Sequence, residues 1–146
     1  MLIEFALVFI LFAFICYALV VFGLALNLKS NLTHAASEGA RAAVGAGGGC
    51  DPLADDGGRC QQAKEDAARD RAVAALSGQT QLVQDNAHVT ENIGDCDSTL
   101  DPGGAQCMTV TIDYPLRDHP IVPLAPGLGI VVPDTLHTAS VVQVSN

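Results

Sequence analysis

Residues 5–26 read FALVFILFAFICYALVVFGLAL, a run of 22 residues without a single charge. At a rise of ~1.5 Å per residue, such a run crosses a hydrocarbon core of ~30 Å. An open strand in lipid leaves its backbone unsatisfied, so the run is predicted to be a helix. This one feature divides the chain into two materials. All five Phe and Tyr17 fall within the first 22 residues, and Tyr114 is the only aromatic residue beyond them. The formal net charge is −9, from 7 Lys+Arg against 16 Asp+Glu. Glu4, Lys29, Glu38 and Arg41 cancel within residues 1–45, so residues 46–146 carry the whole excess of acid. Nucleic acid is therefore disfavoured as a partner, because no basic patch exists to displace counterions from phosphates. A wholly disordered chain is disfavoured as well, since 49% of the residues are hydrophobic.

No Lys or Arg precedes the apolar run and the run is long, which argues against a cleaved secretory signal. Glu4 stands out. A carboxylate at the edge of an apolar helix is usually functional and paired. Its natural partner is a free α-amino group, its own or a neighbour's, here the amine of Met1. A bland reading competes: Glu4 at headgroup level stabilises a helix N-terminus by ~0.3–1 kcal/mol. The helix does not stop at the membrane. Leu28, Leu32, Ala35, Gly39 and Ala43 recur at helical spacing, and the last three put small residues four apart. Such a stripe lets another helix approach closely. The helix is predicted to run from about residue 2 to 44, ending at Gly45, ahead of three further glycines.

Two blocks of this segment, Ile3-Glu4-Phe5-Ala6-Leu7-Val8 and Ser37-Glu38-Gly39-Ala40-Arg41-Ala42-Ala43-Val44, resemble the TadE-like pilins of the tight-adherence pilus system, within the type IV pilin superfamily. Those proteins begin V-E-F-A-L and carry an R-E-G-A-R-A-A stretch some way downstream. The resemblance implies a long N-terminal helix bearing a small head. It implies cleavage by a prepilin peptidase, residence in the inner membrane, and extraction by pilus-assembly machinery into a helical homopolymer. Glu4 would neutralise the terminal amine of a neighbouring subunit, with Met1, Phe5, Ala35, Gly39 and Ala43 in the assembly surface. On that reading, Gly39→Leu impairs assembly more than it impairs folding of the head. One departure is that pilins usually carry this Glu at the fifth mature position, whereas here it is the fourth.

Five cysteines bear on compartment. Cys16 lies in the apolar helix and reads as a small buried hydrophobe. Cys50, Cys60, Cys96 and Cys107 are separated by nine, 35 and ten residues, which is not a zinc spacing. Of the three possible connectivities, local closure favours Cys50–Cys60 and Cys96–Cys107. Disulfides place residues 46–146 outside the cytoplasm, against the weak contrary signal of Lys29 and Arg41 beyond the span.

The remainder is predicted to be an α+β head, residues 46–146, with one helix and an antiparallel sheet of three or four strands. Residues 61–77 read as a helix whose apolar face is Ala68, Ala72, Ala75 and Leu76. Residues 80–84 and 87–91 suggest a hairpin around Asp85-Asn86. Residues 107–114 alternate strictly and form the clearest strand, and 136–144 form the last. Residues 120–133 are apolar but broken by Pro and Gly, either a loop over the sheet or a subunit contact. No enzyme chemistry is legible. The four His are scattered, and Gly47-Gly48-Gly49 lacks the Lys that completes a phosphate loop. The acidic stretches 51–56 and 95–101 read as solvated turns rather than calcium loops. The Asn31-Leu32-Thr33 sequon sits on a helix and is discounted. No cofactor or metal is expected. The expected product is a structural subunit of an extracellular adhesive filament, or a minor pilin or assembly factor that stays in the membrane.

Overall fold

A computed structural model describes residues 2–46, 58–96, 105–121 and 133–144. The first element, α1, runs unbroken from Leu2 to Ala46. It contains no Pro, and Gly23 leaves it uninterrupted. The second helix, α2 (Arg59–Leu76), starts at Gly58, whose φ of 80° is a left-handed conformation that glycine adopts without a Cβ clash. Ser77 closes α2 by donating its hydroxyl to Ala74 O at 2.6 Å.

After α2 the chain departs from the expected hairpin. Residues Gln81–Asn86 form a short helix, α3, and the strand β1 spans His88–Asp95. Two short strands around a tight turn are marginal in water. Here the helical turn buries Val83, at 2% exposure. It also lets the Gln84 amide donate to Ser77 O and Gln79 O, satisfying carbonyls at the end of α2. β1 pairs instead with β2 (Gln106–Tyr114), and β2 pairs with β3 (Leu136–Val144), both antiparallel, so the order is β1-β2-β3. The long-range pairing wins because β2 offers eight residues in register to β1, from His88 opposite Asp113 to Asp95 opposite Gln106.

One face of this sheet is dry. Met108, Val110, Ile112 and Tyr114 point inward from β2, joined by Leu136 and Val144 from β3. Both long helices cover that face: α1 lies against β2 and β3, and α2 against α1 and β1. The core cluster takes Leu28, Leu32, Ala35, Ala36, Ala40 and Ala43 from α1 and Ala68, Ala72 and Leu76 from α2. It thus draws on both sides of the compositional boundary at 45/46. The face of α2 is as expected except at Ala75, which is exposed; Lys64 is buried in its place, so the buried positions recur every fourth residue. The side-chain spacing of a strand puts Thr109, Thr111 and Asp113 on the opposite, wetter face.

The expected Cys96–Cys107 disulfide is present, with Cα atoms 4.9 Å apart, and clamps the end of β1 to β2. Cys60 is also disulfide-bonded. Its expected partner, Cys50, lies outside the described residues, as do Met1 and most of the apolar stretch 120–133.

Candidate subunit and membrane interface

The lower part of α1 is bare. From Ile3 to Val20 every side chain is exposed except Tyr17 and Ala18, which are half-buried. Phe5 is 68% exposed and stacks only on the next turn, its ring centroid 6.1 Å from that of Phe9. Burial begins abruptly. Val21 is 4% exposed, and Ala25, Leu28 and Leu32 continue the same face into the core. The bare stretch of 18 residues is ~27 Å long, close to one hydrocarbon thickness. Glu4 lies in the first turn of α1, exposed, where a carboxylate complements the helix dipole. Cys16 corrects an expectation: its thiol is free and exposed on the outside of α1, rather than buried.

The small-residue stripe has a different partner from the one assigned to it. Gly39 is buried, and a Cβ placed there would stand 2.7 Å from the backbone oxygen of Ala68 and 3.0 Å from the Cβ of Ala72. Ala35 and Ala43 are buried in the same core. The helix that approaches closely at Gly39 is therefore α2 of the same chain. Gly39→Leu, expected to impair assembly more than folding of the head, also brings a side chain against backbone inside the head.

Polar groups tie the upper half of α1 to the head. The Thr33 hydroxyl donates to Lys29 O at 2.9 Å. Its single proton is thereby committed, so Thr138 of β3 donates to Thr33 Oγ1 across 3.0 Å. The Asn31 amide donates to Gln79 Oε1 at 3.4 Å, and Glu38 faces Arg71 of α2 at 3.8 Å. On the sheet, Arg69 reaches Glu91 at 3.3 Å, and His137 pairs with its cross-strand neighbour Asp113. The three ion pairs hold their cationic ends in solvent and so are worth little each, although Glu91 itself is mostly covered. Tyr114 is different. Its hydroxyl donates to His119 O at 2.6 Å beneath the sheet, and burial raises its pKa above the ordinary phenol value.

Among the described residues no three His, Cys, Asp or Glu side chains converge as metal ligands. An open groove of about 530 Å³ lies on α1, between Leu26 and Ser37. Sequence reasoning missed this groove and also the Thr33–Thr138 and Tyr114–His119 bonds. Nothing in a linear pattern joins residues 105 positions apart.

A bare apolar helix, long and apolar enough to cross a membrane, that continues as the wall of a small α+β head defines the class: a helix-anchored α+β protein. Residues 1–41 match the family model described as TadE-like protein, so the chain carries a TadE-like N-terminal segment. The match ends within α1, before α2 and the sheet. No curated protein and no solved structure matches the chain.

Proposed function

We propose that this chain is a structural pilin of a Tad-like pilus. It would sit in the inner membrane through α1 and then polymerise into an extracellular filament that attaches cells to surfaces. The role is architectural and contains no catalytic step. The observation that carries the reading is the abrupt change along α1. The 18 positions Ile3–Val20 expose Phe, Leu, Ile and Val to the surroundings, and burial in the chain's own head starts at Val21. So much exposed apolar surface needs lipid or neighbouring helices around it. The TadE-like match over the same stretch supports this context.

Exchange from lipid to helices replaces one apolar environment with another, so polar pairing must supply the register. Glu4 is suited to this, because an unpaired carboxylate inside a helical bundle is costly whereas one facing an ammonium is tolerated. In this proposal Glu4 of one subunit meets the terminal amine of another, with Phe5 packed beside it. Ala35, Gly39 and Ala43 act indirectly, by holding the head on α1. Prepilin peptidase and pilus-assembly machinery are the partners implied.

The second reading, a minor pilin or membrane-retained assembly factor, is favoured by the family match itself, which ends within α1 and takes in neither α2 nor the sheet. Quantitative mass spectrometry of filaments sheared from producing cells separates the two. The pilin reading expects this chain to dominate the filament. Trace amounts there, with the bulk in membranes, would establish the assembly-factor reading instead.

A further inference from the structure

The groove on α1 is lined by Leu26, Lys29, Ser30, Thr33, His34 and Ser37. Its chemistry contrasts with that of the chain: 16 acidic side chains against 7 basic ones overall, yet no carboxylate among these lining residues. Thr33 and Ser37 spend their hydroxyl protons on backbone carbonyls of their own helix. The donors left facing the groove are the Lys29 ammonium, the Ser30 hydroxyl and the His34 ring N–H. These suit a phosphate: one full positive charge and short hydrogen-bond donors one turn apart.

Position selects the source of that phosphate. With Ile3 at the inner edge of the hydrocarbon, the outer headgroup layer spans ~30–38 Å along the axis; Leu26 at ~35 Å lies within it and the Cα of Lys29 at ~39 Å just above it. Helical side chains lean toward the helix N-terminus, here down toward the bilayer, and Lys places its charge several Å from its Cα. The lower end of the groove, Leu26 and the descending Lys29 chain, therefore meets the headgroup layer, with Ser30 and His34 above it.

We propose that the Lys29 end of this groove binds the headgroup phosphate of an anionic phospholipid in the leaflet under the head, holding the subunit at a fixed depth before assembly. The proposal rests on the membrane-spanning reading of α1. The test uses the full chain in nanodiscs of phosphatidylcholine doped with phosphatidylglycerol. Flotation and protection of the Cys16 thiol from a water-soluble maleimide report insertion. Native mass spectrometry after gentle extraction reports retained phosphatidylglycerol per chain. We expect K29Q to insert normally and to retain about fivefold less phosphatidylglycerol, the effect of one Lys at an anionic surface. R41Q removes the same charge ~18 Å further up α1 and should retain lipid as the parent does. Equal retention by the parent and K29Q, or equal losses in K29Q and R41Q, would overturn the site while leaving the span intact. Crosslinking of Lys29 to a second copy, with no lipid retained, would replace the lipid by a neighbouring subunit. Failure to insert would overturn the spanning reading, and the headgroup site with it.

Discussion

Gly39 shows how much of this head depends on one missing methyl group. The backbone oxygen of Ala68 occupies the space a Cβ would need, 2.7 Å away, and backbone cannot swing aside as a side chain can. Gly39→Ala should therefore destabilise the head by about 1–3 kcal/mol, and Gly39→Leu should prevent its folding. Thermal unfolding followed by circular dichroism checks this; an unchanged midpoint for Gly39→Ala would mean that the α1–α2 contact is looser than described. Tyr114 supplies a pH-dependent counterpart. Its hydroxyl is held protonated by burial, so its folded pKa lies above its unfolded one. For such an acid the stabilisation is fully present below the unfolded phenol pKa and is lost as pH rises through the folded value. The head should be indifferent to Tyr114 ionisation near neutrality and should weaken above the ordinary phenol range. Tyr114→Phe should remove that alkaline dependence, at the cost of the bond to His119 O, worth about 0.5–1.5 kcal/mol.

At the scale of elements, the sheet depends on where β1 finds its partner. The Cys96–Cys107 bridge, with a separation of 11 residues, closes the β1–β2 connection. Replacing both cysteines by Ser should cost about 2–3 kcal/mol, read by denaturant unfolding. The strands 107–114 and 136–144 were legible because one face is buried and the other wet, and that alternation is printed in the residue order. The long helix was legible from its lack of charge and of Pro. The stretch 80–86 was not. Its pattern suits a strand, and the deciding facts are non-local: a cavity for Val83 and unsatisfied carbonyls at the end of α2 within reach of Gln84. The stripe Ala35-Gly39-Ala43 was legible as a close-approach surface but not as to its owner. Spacing says that a helix comes near and cannot say from which chain. The groove was invisible, since it depends on which polar residues of α1 the head leaves uncovered.

For the whole molecule, the division of labour along α1 sets the outcome of changes at its two ends. Glu4→Ala should leave the protein in the membrane with a folded head but abolish filaments, seen by electron microscopy of sheared material; normal filaments from the variant would remove the proposed pairing. Removing residues 1–20 should leave a folded head that still gives a cooperative far-ultraviolet melting signal, because the core cluster begins at Leu28. Loss of that signal would show that the bare turns of α1 support the head as well.

The continuity of α1 from Leu2 to Ala46 also fixes how the molecule would carry tension. No hinge separates anchor from head along this helix. A pull on the head of an anchored or polymerised subunit would be borne by α1 sliding against α2 and β3, where buried side chains and the Thr33–Thr138 link resist it in parallel. Shearing a packed face requires many contacts to fail together, whereas peeling breaks them one by one. A subunit built this way would hold its shape under axial force and yield abruptly.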